Sequence, residues 1–484
     1  ILDQINAGNT DGQTMNAVDS ETARASYMAR VNYNYASKYL VEFNIRRDGS
    51  ENFAPDKRWG TFASASLGWV ISEEPFFESL KNTINFLKIR GSYGTLGNDN
   101  TGGVSFPFYS RFELYQGAVA SNGFMNNLGD YAFGDLVTKG LVPGAIANSL
   151  ATWEKSNKAN IALDATLFNN LNFTVDLFTE RRTNILTQRT AEVPSSFGGT
   201  LPLENIGIVN NKGIDLSLNY HNSIGKVNYS VGGNFTFARN KIVEMAEAEG
   251  TSEYMRQTGR PINGYYGYKT DGIFQSQEEI DSYAKQEVAG VGYETQIGDI
   301  KYVDVDGNGV VNSDDMTYLG YGNIPEIIYG INGSLNWKNF DFSFLMQGAA
   351  NAQVYLKGGI ILPYFNQGNL PQFWVNEAWT EENPSNRYPR LAESVHNFPA
   401  TDVPGVQTYL YNASYLRLKN IEVGYTFPTS WLSRIGVTNA RVYVNAQNLF
   451  TISNVPQIDP ENTEQEGWTY PQMKSFNFGL SLQF

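Results

Sequence analysis

Hydrophobic and polar residues alternate one for one along most of the chain, and the clearest run closes it. There Phe476, Phe478, Leu480, Leu482 and Phe484 alternate with Asn477, Gly479, Ser481 and Gln483. A period of two sends successive side chains to opposite faces of a strand, so one face is apolar and the other polar. The same pattern sets Val227, Tyr229, Val231, Phe235 and Phe237 against Asn228, Ser230, Gly232, Asn234 and Thr236. It also sets Tyr329, Ile331, Leu335 and Trp337 against Asn332, Ser334 and Asn336. Read this way, the chain holds about 13 strands, near residues 23–35, 39–47, 58–71, 84–97, 153–168, 171–182, 211–221, 226–241, 326–337, 340–350, 414–427, 438–451 and 472–484. Most reach the roughly 9 to 11 residues that a tilted strand needs to cross a bilayer.

The connections alternate between short and long. Ser37-Lys38, Asn169-Asn170, Asn222 to Gly225 and Lys338-Asn339 are tight, and between them lie 48–57, 98–152, 183–210, 242–325, 351–413 and 452–471. Ser72 to Asn85 and Thr429 to Val437 fall on the short side as longer turns. Short turns at one end and long loops at the other is how transmembrane barrels are built, with the short turns periplasmic. A soluble sandwich or propeller has no reason to sort its loops so. The expected fold is all-β, a transmembrane antiparallel β-barrel with long extracellular loops.

Composition agrees. The 484 residues include 29 Tyr, 29 Phe and 8 Trp, yet mean hydropathy is only -0.35. A polar lumen, a thin apolar outer band and aromatic girdles produce that combination. No run of about 20 apolar residues occurs, so any crossing is made by strands. A net charge of -14 argues against a nucleic-acid partner, which asks for a basic groove. With no cysteine there is neither a disulfide nor a thiolate site. Ile1 is not an initiator methionine, so the reading expects a start that is processed, nicked or missing.

Several stretches, in order along nearly the whole chain, resemble the SusC-like group of TonB-dependent transporters. They are Arg46 to Ser50, Trp59 to Glu74, Ile89 to Asn98, Trp153 to Ser156, Asn211 to Leu218, Tyr266 to Gln275, Gly298 to Gly309 and Asn445 to Phe450. The resemblance implies a barrel of about 22 strands around an amino-terminal plug. Residues 1–484 would then supply the carboxy-terminal part of the barrel, with the plug and the TonB-contact segment absent. An open sheet of that size has edge groups that lipid cannot satisfy, so further strands from missing sequence or another chain are expected. The implied activity is TonB-energised import of oligosaccharides or peptides across the outer membrane of a Gram-negative-type bacterium. A SusD-like surface lipoprotein is the implied partner. A passive pore or adhesin on the same barrel, and a soluble β-rich glycan-binding protein, are the alternatives.

The sharpest local motif runs from Asp304 to Asp315. Asp304, Asp306, Asn308, Val310, Asn312 and Asp315 stand where a twelve-residue calcium loop places its ligands, with Gly309 at the sixth position and the seventh giving a backbone carbonyl. Position twelve is Asp instead of the longer Glu, and no helical pattern precedes the loop. A bound Ca2+ and an acidic hairpin tip shaped by Asp-Gly and Asn-Gly both fit. In 351–413, Tyr355, Tyr364, Phe365, Phe373, Trp374 and Trp379 sit among amides, as suits contact with a sugar, peptide or protein partner, or packing within the loop itself. His221 and His396 lack neighbouring ligands in sequence, and Glu73-Glu74 and Glu278-Glu279 have no visible cleft partner. With no Gly-x-Ser-x-Gly or phosphate-binding glycine loop either, no catalytic residue is assigned. Phe484 at the end of an alternating strand resembles a barrel-insertion signal.

Overall fold

The computed structural model describes residues 21–484 except 115–129, 134–135, 140, 144–145, 190–200, 289–292, 366–367, 386, 393–395, 398–404, 433–435, 457 and 463–465. Its frame is one 13-stranded sheet in which every strand pairs with its neighbours in chain order. The strands are β1 (Arg24–Tyr35), β2 (Tyr39–Ser50), β3 (Trp59–Val70), β4 (Ile84–Asn98), β5 (Glu154–Leu167), β6 (Leu171–Thr187) and β7 (Glu204–Ile224). After them come β8 (Val227–Glu244), β9 (Ile327–Trp337), β10 (Phe340–Ala350), β11 (Tyr415–Thr426), β12 (Asn439–Ser453) and β13 (Ser475–Gln483). All pairings within it are antiparallel, an up-and-down meander. Among the described residues β1 and β13 each have a strand on one side only.

The register turns the alternation into two continuous faces. Val231, Gly333 and Phe344 align across β8 to β10, and Val423, Val444 and Phe478 across β11 to β13, all facing outward. The inward positions between them are mainly Ser, Asn, Gly and charged residues, with Leu345 and Tyr443 among them. Two aromatic belts bound the outward face. At the short-turn end, Tyr35, Tyr39 and Trp69 are register partners, as are Trp337, Phe340 and Tyr425. At the other end Tyr27 stacks on Trp59, with ring centroids 5.9 Å apart. Trp59 and Trp69 lie ten residues apart on β3. At about 3.3 Å per residue and a tilt near 40°, that separation is roughly 25 Å, the height of a barrel's apolar band.

The apolar face therefore meets hydrocarbon, which sets its tolerance. Ile331 lies on the outward face of β9 between the belts, whereas Ser334 faces inward. Ile331→Arg should destabilise the barrel by about 2–4 kcal/mol and Ser334→Arg by much less. The heat-resistant, fast-migrating fraction in gel mobility reads this directly.

Tight turns use backbone that most side chains avoid. Ala36 and Ser37, Phe168 and Asn169, and Lys338 all hold φ between 51° and 59°. Primed hairpin turns require positive φ because their twist matches that of the strands. On the short side, residues 71–80 form two 3-10 turns. They are anchored by Glu74, whose carboxylate accepts from Tyr39 Oη at 2.7 Å, Trp69 Nε1 at 3.1 Å and Lys38 Nζ at 3.2 Å.

Two loop boundaries differ from the sequence reading. β6, β7 and β8 run well past the apolar band, so the connection expected at 183–210 shrinks to 188–203 and the next starts after Glu244. Beyond the hydrocarbon both faces meet polar surroundings, and polar residues such as Arg181, Asn210 and Lys241 carry the ladder without leaving an apolar period to detect.

Candidate functional site: the inner wall and the outer loop layer

On the inward face, charges come as compensated groups. Arg90 on β4 donates to Asp164 on β5 at 3.1 Å and to Asp176 on β6 at 2.6 Å. Arg441 on β12 bridges Asp341 on β10 and Glu422 on β11. Such groups keep a wall wettable while holding neighbouring strands in register. Their inward parity is legible in the sequence; their partners, 19 to 100 residues away, appear only once register is known.

Nearer the long-loop end, three of the family-like stretches converge. The Phe62 ring fills space that only glycine leaves at position 97, where a Cβ would fall 2.0 Å from the ring. Phe62 meets Trp153 edge-on at 5.5 Å and Phe53 closes the cluster. Trp153 Nε1 donates to the Arg58 carbonyl at 3.0 Å, which ties the β2–β3 loop to β5.

The long loops are not separate flaps. Residues from 245–326, 351–414 and 454–474 share one hydrophobic core, with Ile300, Tyr302, Val311, Val354, Leu356, Ile361, Trp374, Tyr409 and Val455 all buried. Short pairings knit it together: 353–355 with 410–412, and 267–268 with 405–406. The layer is tied to the inner wall at Arg417, almost fully buried on β11. Arg417 donates to Asp459 and Glu461 of the last loop and to Thr451 Oγ1 at 2.9 Å. Glu461 also accepts from Tyr415 Oη at 2.5 Å and Gln347 Nε2 at 3.1 Å, so the loop reaches over the rim onto the inward face.

His396, unassigned from sequence, is a keystone of this layer. Its ring is buried, stacks on Tyr293 at 4.9 Å and 5° and meets the edge of Tyr302. Nε2 bonds to the Ile300 carbonyl at 2.8 Å, while Nδ1 has no partner among the described residues. Beside it, buried Asp299 accepts from Arg390, Asn397, Tyr293 and the Gln296 amide. Burial pushes the imidazole below its ordinary pKa of 6.5. The unfolded layer then takes up a proton that the folded layer refuses, so stability present above about pH 6.5 declines as pH falls below it. Protection factors for amide exchange at residues 299–302, which divide out the intrinsic pH dependence, should fall between pH 7.5 and pH 5, and less so in His396→Gln. His221, by contrast, is exposed on β7 near a short turn, its backbone bonded to Asn170.

The Asp304–Asp315 loop lies in this layer. Carboxylate oxygens of Asp304, Asp306 and Asp315 lie within 4.8 Å of one another. Asp304 accepts from the Gly307 and Gly309 amides at 2.7 and 2.8 Å, which hold its carboxyl below the usual range. Asp315 is buried and accepts from the Val305 and Asn312 amides. Asn308 and Asn312 accept from the Val310 and Asp314 amides. Apart from Asp315 Oδ1, which accepts from the Val305 and Asp306 amides alike, each such oxygen keeps a further lone pair for a cation. Val310–Val311 pairs with 285–286 and buries Val311, so the loop is seated in the core.

The six aromatic residues singled out in 351–413 separate by burial. Trp374 is a core residue, enclosed on all sides, so its ring offers no surface to a ligand. Tyr355 and Phe373 pack against the same core. Trp379 is half-buried, with Nε1 donating to Gln275 Oε1 at 2.9 Å, and Phe365 is half-buried too. Tyr364 is the exposed ring, at 59%. Phe484 is exposed beyond β13.

Comparison with known proteins matches this architecture. The family described as "TonB dependent receptor-like, beta-barrel" matches residues 2–271. The TonB-dependent receptor P26 of Formosa agariphila is 31% identical over 95% of the chain and 46% of its own length. The TonB-dependent receptor SusC of Bacteroides thetaiotaomicron is 30% identical over 95% of the chain and 43% of its own length. A solved structure of the RagAB peptide transporter superposes with a TM-score of 0.71 at 25% identity, over 96% of this chain and 48% of that one. The chain thus spans about half the length of the curated relatives it matches. A meander with sorted loops, a bounded apolar band and a polar inner wall, matched over more than half its residues, is a SusC-like outer-membrane barrel, and the chain belongs to the TonB-dependent receptor β-barrel family.

Proposed function

We propose that the chain forms wall and outer loop layer of a TonB-energised importer of peptides or oligosaccharides, working with a SusD-like lipoprotein at its outer face. The observation that carries this reading is the Arg417 clamp, which draws the last long loop over the rim and onto the polar inner wall. A passive pore gains nothing from a cored loop layer fixed across part of its mouth. Likeness to a peptide transporter favours the peptide arm. Cells carrying the complete protein should take up fluorescent peptides or oligosaccharides only with TonB present, and less without the lipoprotein. Undiminished uptake without TonB would replace this reading with the passive pore.

The loop Asp304–Asp315 binds Ca2+ in this reading, through side-chain oxygens of Asp304, Asp306, Asn308, Asn312 and Asp315 and the Val310 carbonyl. Its support is the ligand spacing and the clustered carboxylates. At a hundredfold excess over Kd, Ca2+ should stabilise the layer by about 2.7 kcal/mol. Equal melting in Ca2+ and in chelator, or an undiminished response in Asp304→Asn/Asp306→Asn, would refute it.

A further inference from the structure

Directly beyond the apolar band on the long-loop side, the outward face of β5 to β8 turns from apolar to basic. The last apolar row runs Ile161, Leu177, Ile214 and Phe237 across neighbouring strands. Above it comes Ala159, Thr179, Lys212 and Arg239, then Asn157, Arg181, Asn210 and Lys241, and then Lys155 opposite Thr183. All five basic residues are exposed. Cross-strand neighbours are about 5 Å apart and successive outward rows about 7 Å, so five cationic groups share a patch roughly 15 Å across.

Four of these five charges are unspent. Arg239 pairs with Glu326, but among the described residues no carboxylate lies within ion-pair distance of Lys155, Arg181, Lys212 or Lys241. Arg181 reaches only the Asn210 amide oxygen, at 3.3 Å. Glu244 joins the outward side only past the bulge that ends the β7–β8 pairing. The inner face at the same height is the opposite case, since Lys158 and Arg182 pair with Glu180 and Glu154. A chain of net charge -14 thus gathers free cations at one place, the rim where its lipid-facing band ends.

We propose that Lys155, Arg181, Lys212, Arg239 and Lys241 bind the phosphate groups of an outer-leaflet lipid headgroup. Long basic side chains on a lipid-facing surface lay their stems along apolar neighbours and raise the charged end to headgroup level. Guanidinium and ammonium groups supply the charge-assisted bonds that phosphate takes. Continuity with the apolar rows decides for lipid over an acidic protein. A lipid whose chains lie on Ile161, Leu177 and Phe237 brings its headgroup to the patch, whereas a soluble partner would have to descend to the membrane surface. The inference rests on the membrane location and not on the cargo.

The test uses the full-length transporter in neutral phosphatidylcholine nanodiscs, titrated with bisphosphorylated lipid A and with its dephosphorylated form and read by native mass spectrometry. The phosphorylated lipid should bind at least tenfold more strongly. Each cation removed should weaken it roughly fivefold. K155Q/R181Q/K212Q/K241Q, confirmed as folded by heat-modifiable mobility, should lose most of the binding, whereas the inward K158Q/R182Q should keep it. Inorganic phosphate should not compete. Equal binding of the two lipids, retention by the quadruple variant, or full competition by inorganic phosphate would overturn the proposal. Peptide and oligosaccharide uptake by the same variants separates the two readings, because lipid binding without TonB-dependent import would refute the proposed function alone.

Discussion

Replacing Arg417 with Met should free the last long loop from the inner wall while the barrel stays folded. Arg417 is the cation between Asp459 and Glu461, and its guanidinium also lies over the Tyr415 ring at 5.3 Å. Removing it leaves Asp459 and Glu461, 16% and 25% exposed, with only the more distant Lys419, 3.8 Å from Glu461, as a cation among the described residues. Breaking a buried pair from one side costs about 3–5 kcal/mol, and the partial exposure here puts the expectation near the lower end. Amide exchange across 454–462 should rise at least tenfold, with β11 and β12 still protected. Arg417→Met/Asp459→Asn/Glu461→Gln should recover much of the protection, because it no longer strands a charge. That non-additivity separates a charge clamp from lost side-chain volume. If the triple variant is as loose as the single one, the clamp acts through packing and the electrostatic account fails.

Trp374→Ala carries the other large effect. The indole is fully buried, its Nε1 donates to the Ile361 carbonyl at 2.6 Å, and its ring lies 4.8 Å from Tyr388. Tyr388 in turn shares a hydroxyl hydrogen bond with Tyr411 at 2.7 Å. A cavity of that size costs about 3–5 kcal/mol, and the Ile361 carbonyl loses its partner besides. The expected result is local: faster exchange at 353–361, 388 and 409–411, with heat-modifiable mobility unchanged. A barrel that fails to fold altogether would show that the loop layer is not a separable unit. Trp379→Ala, which removes a half-buried ring, should do much less.

Both effects concern the part of the molecule that was hardest to read in advance. Trp374 and Tyr364 look alike in sequence, two aromatic residues in a long polar loop, yet one is enclosed and the other open. A loop has no period, so no spacing rule says which ring turns inward. That is decided by residues such as Ile300, Val354 and Tyr409, far away along the chain, converging on one core. Arg417 was equally hidden. Strict alternation counted back from Val423 would turn it outward; a bulge between Leu418 and Asn420 turns it inward, and its partners come from a loop that returns over the rim. The same holds for the basic patch, whose members lie on four strands and become neighbours only through register.

The wall was different. Alternation over some ten residues, tight turns such as Lys338-Asn339 and the sorting of loop lengths were enough for the strands, their order, the two faces and the membrane. Each of these rests on neighbours in the chain, because a strand's two faces are set by period two and an antiparallel meander pairs each strand with the next. Strand length beyond the hydrocarbon escaped, because polar surroundings on both sides of β6 to β8 remove the apolar period that marks a strand. The loop core, the clamp and the buried His396 belong to tertiary structure alone. They depend on contacts across tens to more than a hundred residues, and only the folded barrel brings those segments to one rim.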